Sequence, residues 1–125
     1  MSGLRTLPTM SDRIELAIPA QPEFLRLVRL ASADVGSRAG LDFEEIDDLK
    51  IAVSEACSLL LGGDAAVRLE FEFDDGCVNV EGASAGAADV DRTLSLAIIG
   101  AVVDEHDLTA DGDRMHFRLV QRHRT

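Results

Sequence analysis

Alternating apolar and polar residues in two short segments, and turn signals beside three others, predict five β-strands. In the first, residues 13–18, every second residue is Ile or Leu. The other four form two pairs, and each pair is joined by a short turn of Asp and Gly that is typical of a hairpin. These segments are residues 67–73, 77–81, 106–110 and 114–121.

Two further segments have an apolar content that is typical of helices. The first begins at Pro22, a residue favoured in the first turn, and ends at Gly40, a residue favoured at a helix C-terminus. Its apolar side consists of Phe24, Leu25, Val28, Leu30, Ala31 and Val35. The other segment, residues 93–103, is apolar nearly all round, which predicts a buried helix.

A third helix, between these two, has faces of different character. Asp42 and Glu45 form a capping box at its start, and we expect it to run to about Leu61, before Gly62 and Gly63. The stripe that must pack on the sheet consists of Ile46, Leu49, Val53, Ala56, Cys57 and Leu60. A second face consists of Asp48, Ala52, Glu55 and Leu59. Because Leu59 is apolar but lies off the stripe, it covers a second cavity, contacts a partner, or is an ordinary exposed leucine.

The order of elements is β-α-α-β-β-α-β-β. It predicts an α+β fold, a two-layer sandwich with helices on one face of a mostly antiparallel sheet. Residues 1–12 show no periodicity and are expected to form a flexible N-terminal arm, which leaves residues 13–125 as a single domain. The small residues of segment 82–91 predict a flexible loop before the last helix.

The net charge of −11 narrows the classes of partner. It argues against direct binding of nucleic acid or anionic membranes, because their phosphates would be repelled. It favours a basic protein partner, although solubility alone explains the charge equally well. The N-terminus lacks a signal-peptide pattern and no apolar run has the length of a membrane span, so we expect a cytoplasmic protein. There, Cys57 and Cys77 are expected to be reduced and structural, with a redox switch as the alternative.

The histidines and a cluster of acidic residues give only weak signals of further functional sites. His106, His116 and His123 do not have the spacing of metal ligands, so no metal site is predicted. Four acidic residues are expected to form a solvated first turn of the middle helix, or else to meet a basic partner. They are Glu44, Glu45, Asp47 and Asp48.

Three segments resemble one protein family. FLRLVRLASADVGSRAGLDFEEIDDLKIAVSEACSLLL, FDDGCVNVE and LSLAIIGAVVDEHDL are similar to successive segments of the RsbW-like anti-sigma factors and serine-protein kinases. The resemblance covers roughly residues 12–121 and implies a GHKL (Bergerat, HATPase-like) ATP-binding fold. It also implies a bacterial stress-response regulator with a sigma factor and an anti-anti-sigma (STAS-domain) protein as partners, and a homodimer.

The chain departs from the family where ATP and Mg²⁺ would bind. Glu55 matches the glutamate of the family motif E-x-x-x-N, which can act as a general base, but Leu59 replaces the asparagine that binds Mg²⁺. Gly82 lies in a segment without the aspartate of the motif D-x-G-x-G. Asp91, Arg92 and Thr93 replace a glycine pair that would approach phosphates. The sequence therefore predicts neither ATP nor Mg²⁺ as a cofactor, and a structural reason for Glu55.

Two functions remain in competition. In the first, the protein sequesters a sigma factor without catalysis, and an anti-anti-sigma protein releases it. In the second, it is an active serine-protein kinase that phosphorylates the anti-anti-sigma protein, and only Glu55 supports this. A domain cut from a sensor kinase is a third possibility, disfavoured by the initial Met. The expected contact surface is the first helix, the loop before the last helix, and Asp48, Ala52 and an exposed Leu59.

Overall fold

The computed structural model describes residues 12–63, 65–85 and 91–124. The five strands are β1 (Asp12–Ile18), β2 (Val67–Asp74), β3 (Cys77–Ala85), β4 (Glu105–Asp111) and β5 (Arg114–Arg122). The three helices are α1 (Leu25–Arg38), preceded by a 3-10 turn at Pro22–Phe24, α2 (Phe43–Ser58) and α3 (Thr93–Val102). The element order is the one that the sequence pattern predicts.

The strands form one sheet in the order β1-β2-β3-β5-β4, and every neighbouring pair is antiparallel. Two tight hairpins, β2–β3 and β4–β5, account for half of these pairings. The α+β prediction is confirmed. Of the predicted N-terminal arm, only Asp12 lies within the described residues, where it belongs to β1.

One face of the sheet packs on the helices and the other is polar. Phe71, Val80 and Leu119 stand in one row across the packed face, and none is more than 1% exposed. The next row, on the other face, contains Glu70, Glu81 and Arg118. This alternation follows from the period of two along a strand. Every member of the predicted α2 stripe is buried or partly buried in the same core.

The boundaries of α2 follow from its cap residues. Asp42 accepts a hydrogen bond from the Glu45 backbone N–H, and the Glu45 side chain accepts one from the Asp42 backbone N–H, which confirms the capping box. Gly40, with φ of 82°, provides the left-handed residue that ends α1. The helix ends at Ser58, three residues before the predicted end, because tighter turn hydrogen bonds take over at Leu59 and Leu60.

The expectation that α3 is buried on every side is wrong. Ile99 is its one buried residue, and Leu94 is 72% exposed. The helix lies at the margin of the helical layer, against α2 and β4, so its far side has no neighbour among the described residues. A uniformly apolar sequence has no polar face to indicate this orientation.

Three smaller expectations also need correction. Leu30 is 60% exposed and does not belong to the buried side of α1. Glu45 is 2% exposed, so it is not part of a solvated acidic turn. Residues 82–85 continue β3 in place of the predicted loop, because all four pair with β5 and the first two also pair with β2. The rest of that loop, up to residue 90, lies outside the described residues.

Candidate functional site

The residues at the family's nucleotide positions come from three elements. Glu55 and Leu59 lie at the C-terminal end of α2, Gly82 lies in β3, and Thr93 is the first residue of α3. The α2 residues face α3, as a side-chain hydrogen bond between the two helices shows. The geometry of each of these positions decides what it can bind.

Glu55 is engaged by a residue of α3. Its Oε1 accepts a hydrogen bond from the Ser95 hydroxyl at 3.1 Å, and the carboxylate is partly buried. The bond ties the two helices together across 40 residues of chain. It is a structural role of the kind that the sequence reasoning allowed for. Ser95 itself was missed, because no local pattern relates it to α2.

Leu59 is part of the core. It is 5% exposed and packs in the same apolar cluster as Leu60 and Ile99. The expectation of an exposed Leu59 is therefore wrong, and Ala52, with no exposed surface, cannot be reached by a partner in this conformation either. Of the three residues predicted to bind a partner, only Asp48 has accessible surface. The helical wheel separated this face from the core stripe but could not show that Ala52 and Leu59 would be buried as well.

Gly82 makes room for an aromatic ring. It lies on the packed face of the sheet, between Leu69 and Phe117 in the same row. The Phe117 ring lies where a Cβ at residue 82 would stand, and Leu69 also comes within 3 Å of that position, at 2.9 Å. Packing alone therefore explains the glycine. Phe117 is 1% exposed, so the ring is a fixed part of the core.

The start of α3 already carries a negative charge. The Thr93 backbone N–H donates a hydrogen bond to Asp91 Oδ1 at 3.0 Å. This hydrogen bond holds the pKa of Asp91 below its usual range. A free helix N-terminus attracts a phosphate, whereas one that is occupied by a carboxylate repels it.

These positions do not fit a magnesium nucleotide. Mg²⁺ requires oxygen ligands in an octahedral arrangement, and the side chain at the metal-binding position of α2 is the buried Leu59. The phosphate side presents the Asp91 carboxylate, and the sheet side presents the ring of Phe117. Only Glu55 keeps the chemistry of the family motif, and its carboxylate is bonded to Ser95.

A second cluster of polar groups joins the C-terminal residues to the start of α2. The buried Glu45 carboxylate accepts hydrogen bonds from His123 Nδ1 at 2.8 Å and from the Arg124 backbone N–H at 2.7 Å. Burial by itself raises the pKa of this carboxyl, but the hydrogen bonds from Asp42, His123 and Arg124 outweigh it and lower the pKa of Glu45 to about 2. The hydrogen bond to Glu45 raises the pKa of His123.

Gln121 extends this connection to α3. Its buried Nε2 donates hydrogen bonds to the Glu45 carbonyl and to the Val102 carbonyl, each at 3.2 Å. The Val102 carbonyl is one of those that the end of a helix leaves without a helical partner. Gln121 thus links the first turn of α2, the last turn of α3 and strand β5. Sequence reasoning missed it, because a glutamine in a strand gives no signal of what lies across from it.

Asp42, Glu45 and His123 approach one another closely enough to hold a cation, with ligand atoms within 4.8 Å. The sequence spacing of the histidines did not indicate this proximity. Glu45 accepts hydrogen bonds from three groups, which use three of the roughly four lone pairs of its carboxylate. These hydrogen bonds explain the cluster as a structural link between the start of α2 and the C-terminal residues.

The remaining candidates lie apart from these two clusters. His116 pairs with Glu81 at 3.0 Å on the polar face of the sheet. Cys57 and Cys77 are both free thiols. Burial raises the pKa of Cys57 to about 12 in the helical layer, whereas Cys77 pairs with Arg122 in an exposed row of the sheet. Since the sheet separates the two thiols, the arrangement favours structural cysteines over a redox switch.

Comparison with known proteins agrees with this architecture, although no protein-family model matches the chain. The chain is 54% identical over 48 residues to the serine-protein kinase RsbW of Bacillus subtilis, covering 38% of this chain and 30% of that protein. It is 45% identical over 76 residues to RsbW of Listeria monocytogenes, covering 60% and 45%. The chain spans less than half the length of these curated relatives.

The fold is also found in a solved structure. The RsbU and RsbW domains of Rv1364c from Mycobacterium tuberculosis superimpose with a TM-score of 0.74, over 89% of this chain and 32% of that one, at 19% sequence identity. This likeness identifies the fold and is consistent with the GHKL class. In the part of the chain that the structure describes, no helix is long and apolar enough to cross a membrane. The matching segments make this chain similar to the RsbW proteins, and it shares the fold of the mycobacterial structure.

Proposed function

We propose that this chain is an anti-sigma factor that sequesters an alternative sigma factor and is released by an anti-anti-sigma protein, without ATP-dependent catalysis. The observation that carries the proposal is the contact between α2 and α3. At the positions where the family holds a magnesium nucleotide, Glu55 is hydrogen-bonded to Ser95 of α3 and Leu59 is buried in the core. The described residues have the fold of the similar solved structure, while the family's nucleotide positions are occupied by core and helix contacts.

The physical requirement of phosphoryl transfer supports the absence of catalysis. The reaction depends almost wholly on positioning of the phosphates and on a metal ion that neutralises their charge. A leucine at the metal position and the Asp91 carboxylate at the start of α3 oppose both requirements. Sequestration, in contrast, needs only a protein surface.

The competing proposal is an active serine-protein kinase. Two observations favour it: Glu55 is retained, and the relatives carry the name serine-protein kinase. Calorimetry separates the proposals. We expect no heat of binding at millimolar Mg-ATP, whereas saturable binding, together with Glu55-dependent phosphorylation of an anti-anti-sigma protein, would establish the kinase.

The partners require a separate test. Tagged protein would be incubated with lysate from its own cells, with and without Mg-ATP, and bound proteins identified by mass spectrometry. Recovery of a sigma factor without nucleotide supports the proposal, and the absence of any sigma factor contradicts it. We expect the protein to act in the cytoplasm, in a stress response and as a homodimer. We expect neither nucleic acid nor membrane as a direct partner.

A further inference from the structure

The outer side of α3 is an exposed apolar strip. The helix is ten residues long and contains no charged side chain. Leu94, Ala97 and Ala101 are exposed at spacings of three and four, so they line one side of the helix. On the opposite side Ile99 is buried, and Ser95 is bonded to α2. Contacts on the inner side of α3 therefore hold the strip in place, while its outer side is exposed.

Carboxylates border this strip. Along α2, on the rim between the solvent and α3, lie Glu44, Asp48 and Glu55, of which Glu44 is exposed and the other two are partly buried. Asp91 and Asp104 are exposed at the two ends of the helix. The only basic residue of α2, Lys50, pairs with Asp47 at 3.7 Å and lines a surface pocket together with Glu55.

Two cations are close to the ends of this border. Arg92, beside Asp91, is partly buried, and Arg124 pairs with Asp104 at 3.5 Å. On the rim along α2, Glu55 shares a surface pocket with Arg29 and Lys50, whereas Glu44 and Asp48 form no ion pair among the described residues. The strip therefore combines an apolar surface with a negative potential on one long side.

We propose that the outer face of α3 binds an amphipathic helix of a partner protein, with apolar residues against the strip and basic residues along its flank. This rests on the proposed function, in which the partner is the sequestered sigma factor. Ala97 and Ala101 allow a helix to approach closely, and Leu94 provides an apolar anchor at one end. Opposite charges across the rim favour a basic flank and raise the association rate.

A second copy of this chain fits the same surface poorly. A two-fold contact brings the same patch of each protomer together, so the rims of Glu44 and Asp48 would face like charges. The net charge of −11 on each protomer adds to this repulsion. The negative potential that attracts a basic partner repels a second copy of this chain.

Peptide binding tests the surface directly. The probe is a fluorescently labelled, synthetic 18-residue amphipathic peptide with leucines on one face and arginines on its flanks, followed by anisotropy. We expect Leu94→Asp to weaken binding about tenfold or more, and Leu30→Asp on α1, at a comparably exposed leucine, to leave it unchanged. Equal effects of the two variants, or none, would overturn the proposal.

The charged rim is tested with the same probe. Glu44→Gln combined with Asp48→Asn should weaken binding several-fold at low salt and flatten its salt dependence. A peptide in which glutamates replace the flanking arginines should bind at least tenfold more weakly. If flank charge makes no difference, or if sedimentation shows a wild-type dimer that Leu94→Asp dissociates, the basic-partner proposal is wrong. Ala97→Glu provides a second variant should Leu94→Asp fail to fold, as judged by circular dichroism.

The two proposals fail in different ways. If a sigma factor is captured equally well by wild-type protein and by Leu94→Asp, the surface is wrong and the function stands. If neither captures a sigma factor, the function is wrong, and the peptide titration still decides whether the strip binds a basic amphipathic helix.

Discussion

His123 Nδ1 lies 2.8 Å from Glu45 Oε1, although 78 residues separate the two in the chain. The contact joins the end of the last strand to the first turn of α2. The buried Glu45 carboxylate accepts three hydrogen bonds. One comes from the Asp42 backbone N–H at the start of α2, and the others come from His123 and the Arg124 backbone N–H after β5. The capping residue of one helix is thereby also the anchor of the C-terminal residues.

This anchor predicts a large effect of Glu45→Gln on stability. The amide keeps the size of the side chain but loses the charge, and its NH₂ group meets donors in place of acceptors. We expect a loss of about 2 kcal/mol in the free energy of unfolding, measured by urea denaturation. Glu44→Gln, at the exposed neighbour, serves as the control and should change it by less than about 0.5 kcal/mol.

The same pair predicts a stability optimum between acid and neutral pH. The pKa of Glu45 falls from 4.5 to about 2 on folding, so its contribution is complete above pH 4.5 and is lost as the pH falls towards 2. The pKa of His123 is raised above 6.5, so its contribution is complete below that pH and is lost as the pH rises through the raised value.

Unfolding measured at a series of pH values would check this in wild-type protein and in His123→Ala. We expect the variant to lose the decline in stability above pH 6.5 and to keep most of the acid decline. A variant with the wild-type profile at neutral pH would show that the His123–Glu45 contact contributes no pH dependence.

Gly82→Ala should disrupt the core. The added methyl group must enter the space of the Phe117 ring, with Leu69 close on the other side. We expect a loss of about 1–3 kcal/mol in the free energy of unfolding, from chemical denaturation. The double variant Gly82→Ala, Phe117→Leu should lose less than the sum of the two single variants, because the smaller side chain makes room. Strict additivity would mean that the two residues do not compete for space.

Leu59→Asn should fail to recreate a nucleotide site. The change places an amide in an apolar cluster, for which we expect a loss of about 2 kcal/mol or more in the free energy of unfolding. Calorimetry of the folded variant with Mg-ATP should still show no binding, because Phe117 and Asp91 keep their places. Tight Mg-ATP binding by this variant, but not by wild type, would show that Leu59 alone closes the site.

Local pattern determined much of this protein. The five strands, the capping box of Asp42 and Glu45, and the buried stripe of α2 are set by neighbours a few residues apart, and each is observed as predicted. The resemblance to the RsbW family rested on similar local patterns in the helices and one hairpin. These features are readable because strand and helix periods are properties of the backbone itself.

Tertiary structure alone decided which faces are covered. The sequence shows that Leu59 lies off the core stripe, but only the packed structure shows that Leu59 is buried and that Leu94 is exposed. Glu55 meets Ser95, and Glu45 meets His123, across 40 and 78 residues of chain. Such pairings depend on how complete elements pack. Whether a residue is buried depends on the surface that covers it, and that surface belongs to residues far away in the chain.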